Sequence, residues 1–218
     1  MSEDDSTRFG PDAIPTLQVA TADMGWLLER GYAATASLKL VGDRHALDRR
    51  QRKAVMRGCA APSVATARQD ARRSIDDTDV AIDGFNVLVT LETAHRGGPL
   101  FRGADGLLRD LAGMHGKYKD NPRIEAIIDQ LRVLLQPARS VRWVLDRPVS
   151  NSGALAGRLR AAGFDQVALT DLADRALAES GCAVATADGP LLDRAGQGVD
   201  VVSPIVAQMA SPWIVPLV

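Results

Sequence analysis

From Val80 onward, short apolar runs alternate with longer stretches of helical periodicity, and no other feature narrows the fold as much. The runs are VAIDGFNVLVT (80–90), SVRWVLD (140–146), QVALTD (166–171), CAVATAD (182–188) and VDVVS (199–203). Between them lie DGLLRDLAGMHGKY (105–118), NPRIEAIIDQLRVLL (121–135), GALAGRLRAAG (153–163), DRALAESG (174–181) and GPLLDRAG (189–196). Strands separated by helices need crossover connections, so this order predicts a mostly parallel, twisted sheet covered on both faces. Residues 92–102 read as an exposed loop. The fold class expected for 79–218 is therefore a three-layer α/β/α, Rossmann-like domain.

The chain before this domain has a different character. Residues 1–15 are polar and acidic, and read as a disordered leader with neither a basic segment nor an apolar core of the kind targeting peptides carry. Residues 16–78 read as a small all-helical unit. Its first helix starts near Thr16 and stops at Gly31, with Leu17, Ala20, Met24, Leu27 and Leu28 on one face. A second runs from about Ala46 to Met56, and a third from Ser63, as N-cap, through Ile75. Trp26 and Tyr32 can stack on nucleic-acid bases, but core packing is the first expectation for both.

Charge is distributed unevenly. Residues 39–57 carry seven bases against two acids, whereas residues 165–200 carry seven acids against two bases. The formal net charge is only −1, so no global field directs the protein to nucleic acid or membrane. Cys59 and Cys182 fit no metal or redox spacing, and a reduced, cytoplasmic setting is the default expectation. No apolar run approaches the length of a membrane span.

Four of the apolar runs end in acids: Asp83, Asp146, Asp171 with Asp174 close behind, and Asp188. In an open parallel sheet these ends share one rim, where ligands bind, on strands about 4.8 Å apart. Carboxylates so crowded repel one another, and a hard divalent cation such as Mg²⁺ or Mn²⁺ relieves the repulsion. Each aspartate taken singly also suits a helix cap or a turn. His45, His95 and His115 share no ligand spacing. Gly84 is expected to turn the chain sharply so that Asp83 faces the rim, and Asn86 to orient Asp83, to hold a metal-bound water or to make a local turn. Ser150, Asn151 and Ser152 precede a helix whose N-terminus suits phosphate or which they simply cap.

The strings IDGFN (82–86), VLDRPVSNSG (144–153) and VATADGPLLDRA (184–195) resemble, in this order, the PIN-like superfamily of metal-dependent nucleases, including its NYN branch. The last is similar to the superfamily's T-x-D signature, carried by Thr186 and Asp188. More narrowly, the layout looks like an uncharacterised prokaryotic family that joins a short helical region, with an RGY…LVGDR…R pattern at 30–57, to a PIN-like domain. The resemblance covers roughly 79–205. It implies metal ligation by Asp83, Asp146, Asp174 or Asp171, and Asp188. It also implies a helix-borne acid, for which Asp105, Asp110 and Glu125 are the candidates.

The expected chemistry is hydrolysis of phosphodiester bonds, in RNA rather than DNA, with Mg²⁺ or Mn²⁺ to polarise a water and offset charge on the leaving oxygen. Arg49, Arg50, Arg52, Lys53 and Arg57 would grip the backbone by charge, if they are not simply a solvated helix face. A homodimer is compatible with this reading. The rival from another class is a silent PIN-like module that binds RNA or protein. A haloacid-dehalogenase-type phosphatase needs an acid where Phe85 stands, and no G-x-G-x-x-G follows a strand.

Overall fold

The computed structural model describes residues 3–112 and 122–218. The chain opens with five helices, α1 (Glu3–Arg8), α2 (Ile14–Glu29), α3 (Ala34–Arg44), α4 (Arg49–Gly58) and α5 (Pro62–Asp70). Strand β1 (Asp79–Asp83), helix α6 (Gly84–His95) and strands β2 (Leu100–Arg102) and β3 (Leu108–Arg109) come next. Then follow α7 (Ile124–Leu134), β4 (Ser140–Asp146), α8 (Ser152–Ala161), β5 (Gln166–Thr170) and α9 (Ala173–Ala178). The chain closes with β6 (Ala183–Ala185), α10 (Gly189–Ala195), α11 (Val202–Val206) and β7 (Ile214–Pro216).

These elements divide into two units, the first made of 1–70, 93–111 and 210–218, and the second of 71–92 and 112–209. The second unit carries the expected α/β architecture. Its four strands lie in the order β5-β4-β1-β6 and are all parallel. The apolar pattern explains why both faces are covered: Val80, Ala81 and Ile82 succeed one another in β1, and none is exposed to solvent. Ala81, Val144 and Val184 pack on one face against Ala173 and Leu177 of α9 and Leu191 of α10. On the other face Trp143 meets Phe164 edge-on at 5.2 Å.

Strand order also locates the rim. The chain steps from β1 outward to β4 and β5, then returns to place β6 on the far side of β1. The junction of β1 and β6 is thus the point where the winding reverses, which is where open parallel sheets bind ligands.

The first unit is not all helical. Its helices share a core with a three-stranded sheet of order β3-β2-β7, where Phe9, Leu17, Met24 and Val55 meet Phe101, Val215 and Leu217. Several expectations are corrected here. The leader is ordered from Glu3: α1 leads to Phe9, which is fully buried and edge-on to Phe101 at 4.7 Å. The supposed loop at 92–102 holds the end of α6 and strand β2, with Leu100 and Phe101 fully buried. Within 105–118, residues 105–112 form a turn and β3 instead of a helix, and the rest, including His115, lies outside the described residues.

The helix expected at 46–56 starts at Arg49, because Asp48 accepts from the Arg50 and Gln51 N–H groups and Gln51 returns a bond to the Asp48 N–H. The third helix ends at Asp70. Ser63 lies inside it and bonds Glu29. The run VDVVS forms no strand: Asp200 accepts from the N–H groups of Val202 and Ser203, and α11 starts at Val202.

Candidate functional site

The run VAIDGFNVLVT changes structure in its middle. Strand β1 ends at Asp83, and Gly84 is already the first residue of α6. The Asp83 Oδ1 accepts from the Asn86 N–H at 3.4 Å, placing Asp83 at the cap of this helix. Gly84 is explained by space, and it needs no unusual backbone angle. A Cβ there would collide with the Leu145 side chain and lie 3.3 Å from both Trp143 Cε3 and Val144 O. The expectation of a sharp glycine turn is corrected accordingly.

Polar side chains tie the ends of β1 and β6 together. Thr186 Oγ1 donates to Asp83 Oδ2 at 2.7 Å, and the Ala187 N–H donates to Asn86 Oδ1 at 2.8 Å. The Asp188 N–H reaches Thr186 Oγ1 at 3.1 Å. Asn86 thus holds the β6–α10 loop with its side chain while its backbone holds Asp83. Asp188 is the N-cap of α10, accepting from the Leu191 N–H at 2.8 Å.

Asp83 and Asp146 share a sheet face, because Asp83 is registered with Val144 and Asp146 stands two residues further along β4. This is the face that α9 covers, and Asp174 belongs to the first turn of α9. The three carboxylates feel one another. Burial first, and then the charges of Asp146 and Asp174, push Asp83 up to about 7, against the opposing hydrogen bonds from Thr186 and Asn86. Asp146 is also raised, by burial and by Asp174. Among the described residues neither Asp83 nor Asp146 has an ion-pair partner, whereas Asp174 is paired with Arg194 at 3.0 Å.

The other expected residues are distributed as follows. Asp171 is exposed and pairs with Arg147 at 3.3 Å, and it is the charge of Asp174 that acts on Asp83 and Asp146. Asp105 belongs to the first unit, on no helix, buried between Arg109 and Arg68. Asp110 is buried in the same unit, also on no helix, and Glu125 in α7 pairs with Arg158 at 3.4 Å. Ser150 is exposed, and Ser152 is buried with its hydroxyl donated to Arg147 O at 3.1 Å. Asn151 occupies the N-cap of α8 with φ 70° and no side-chain capping bond.

Of the basic residues in α4, Arg50 pairs with Asp5 and Arg52 with Asp43. Lys53 donates to Leu111 O at 2.9 Å, and burial lowers its pKa. Three of the five bases expected to grip a nucleic-acid backbone are therefore engaged within the chain; of the other two, Arg49 is exposed and Arg57 half-buried. Trp26 and Tyr32, expected in the core, are 52% and 59% exposed, and the Arg30 guanidinium lies 3.6 Å from the Trp26 ring centre. His45 bonds Asp23 at 2.8 Å. The partner of Asp174, Arg194, shows in the sequence only as a base in the last turn of the helix after Asp188.

Among the described residues no three His, Cys, Asp or Glu side chains stand as a ready-made ion site. The donor chemistry nevertheless suits a hard cation, since the group is all carboxylate and two members have no counter-ion there. No described helix is long and apolar enough to cross a membrane.

Residues 72–203 match a family described as "Domain of unknown function (DUF5616)", and residues 16–70 match a second, described as "Protein of unknown function (DUF434)". The two matches meet where the first unit's opening segment ends, at Asp70. A relative from Methanocaldococcus jannaschii, "Uncharacterized protein MJ0935", is 28% identical over 149 residues, covering 66% of this chain and 72% of that protein. No solved structure matches the chain.

Proposed function

The chain belongs to the family described as DUF5616, whose description names no activity, and from the rim's chemistry we propose that it is a metal-dependent nuclease of PIN-like type acting on RNA. The observation that supports this reading is that Asp83 and Asp146 share one sheet face at the carboxyl end of parallel strands, beneath the helix that carries Asp174, and that the first two lack counter-ions among the described residues. Unpaired carboxylates at this place cost stability, so a use for their charge is the economical explanation.

Asp83, Asp146 and Asp174 would hold Mg²⁺ or Mn²⁺, with Asp188 as a fourth donor linked to Asp83 through Thr186. A cation held there supplies Lewis acidity for water attack on a phosphodiester and offsets charge on the leaving oxygen. The chain's own part is positional. Thr186 and the Asn86 N–H orient Asp83, and the Asn86 side chain keeps the β6–α10 loop against it. Ser150, Asn151 and the N-terminus of α8 are the proposed phosphate contacts, with Ser152 supporting the loop from within. Arg49 and Arg57 offer charge to the RNA backbone.

One observation favours a second reading, a silent module that binds RNA or protein. Asp83 and Asp188 both cap helices, which is a sufficient structural reason for an aspartate at each position. The test is cleavage of single-stranded and structured RNA with Mg²⁺ or Mn²⁺ by the wild type, Asp83→Asn and Asp146→Asn. The nuclease reading expects metal-dependent cleavage that is lost in both variants. Equal rates in all three proteins, or no cleavage by any, would leave the silent module standing.

A further inference from the structure

One member of the carboxylate group already has a partner. Asp174 in α9 accepts from Arg194 in α10 at 3.0 Å, and these two helices pack against each other. The side chains are 70% and 50% exposed, so packing locks neither of them. An ion pair this open is weak and easily exchanged. Asp83 and Asp146, by contrast, are met by no base among the described residues, and both feel the charge of Asp174. Rotation of the Asp174 side chain away from Arg194 is thus the smallest change that would add a third carboxylate to a shared ion.

Resting on the metal-dependent reading above, we propose that Arg194 is the resident counter-ion of this group. It holds Asp174 while no divalent cation is bound, and it gives Asp174 up when one binds. A divalent cation shared by several carboxylates is a stronger partner for Asp174 than one exposed guanidinium. The released guanidinium is then available to phosphate oxygens, which its planar fork suits. Arg194 is thus a positioning residue that couples ion binding to substrate binding.

The test is calorimetric titration of Mn²⁺ into the full chain as wild type, Arg194→Gln, Asp174→Asn and the double variant. Arg194→Gln is expected to bind Mn²⁺ about two- to fivefold more tightly, the range that an exposed ion pair is worth. A disturbed fold would weaken binding, so a gain in affinity separates competition from damage. The gain should disappear in the Asp174→Asn background. Unchanged or weaker affinity in Arg194→Gln overturns the proposal, as does an equal gain without Asp174, which would reflect bulk charge alone. A wild type that binds no Mn²⁺ overturns the metal reading and this inference together, whereas the other two failures leave that reading intact.

Discussion

Asp105 in the first unit and Asp83 in the second are both aspartates withdrawn from water, and they have been treated in opposite ways. Burial raises the pKa of Asp105, but hydrogen bonds and charge from Arg109, the Leu107 N–H and the charge of Arg68 more than reverse it, and the net shift is downward. Asp83 receives a hydroxyl and a backbone N–H but, among the described residues, no cation; burial, together with the charges of Asp146 and Asp174, pushes it up to about 7. The first unit repeats its pattern at Asp5 with Arg50, Asp43 with Arg52 and Asp48 with Arg8. Acids are paired internally in one unit, whereas two at the carboxyl rim of the other sheet have no ion-pair partner among the described residues. That difference is the main physical argument for a cation there.

The comparison can be broken or sharpened by substitution. The largest expected effect is from Arg109→Leu, which removes the two-pronged partner of a buried carboxylate and leaves it Arg68 alone as a counter-ion among the described residues; it should cost about 3 kcal/mol in chemical denaturation. A loss under 1 kcal/mol would mean that the Asp105 pairing is dispensable. Asp83→Asn should do the reverse, lowering metal-dependent cleavage by at least about 100-fold while leaving the protein at least as stable at neutral pH. Marked destabilisation by Asp83→Asn would return Asp83 to a purely structural role.

The pH dependence follows with a definite sign. The folded pKa of Asp83, about 7, lies above its ordinary value of 3.8. Between these values the native state keeps a proton that the unfolded chain has released. In metal-free buffer this contribution is therefore full below about pH 4 and is lost as pH rises through about 7, with a slope of up to ~1.4 kcal/mol per pH unit. Denaturant titrations across this window should show the decline in the wild type and a flatter profile in Asp83→Asn.

Smaller effects are expected from packing and capping. Gly84→Ala should cost about 1–3 kcal/mol, because the added methyl meets Leu145. Asp188→Ala should cost about 1 kcal/mol through loss of the α10 cap, and Asp188→Ser should recover most of that. Cleavage that follows stability in these two Asp188 variants would make the residue a cap and nothing more.

Much of the second unit could be read from the chain. SVRWVLD is β4 to the residue, because an apolar run bounded by turn formers has few alternatives. Asp83 and Asp146 end their strands as the rim rule predicts, whereas Asp174 lies past the end of β5, in the first turn of α9, and the strand pattern alone does not separate it from Asp171. The failures have physical causes. VDVVS has the composition of a strand, but Asp200 caps the following backbone and turns it helical. Strands of two or three residues such as β2, β3 and β7 show no period, and their pairing is set by a core assembled from distant parts of the chain, with Phe101 against Phe9. Charge runs were legible only as totals. That Arg50, Arg52 and Lys53 would be held inside their own unit depends on partners such as Asp5 and Leu111 O, up to 58 positions away.

The account rests most directly on the state of one carboxyl group. Carbon-13 NMR titration of the Asp83 side chain, with and without Mg²⁺, measures it. We expect a midpoint near 7 in metal-free buffer that falls well below 6 when Mg²⁺ is added. A midpoint near 4 in metal-free buffer, or one near 7 that Mg²⁺ leaves in place, would contradict the claim that this rim is built to hold a divalent cation.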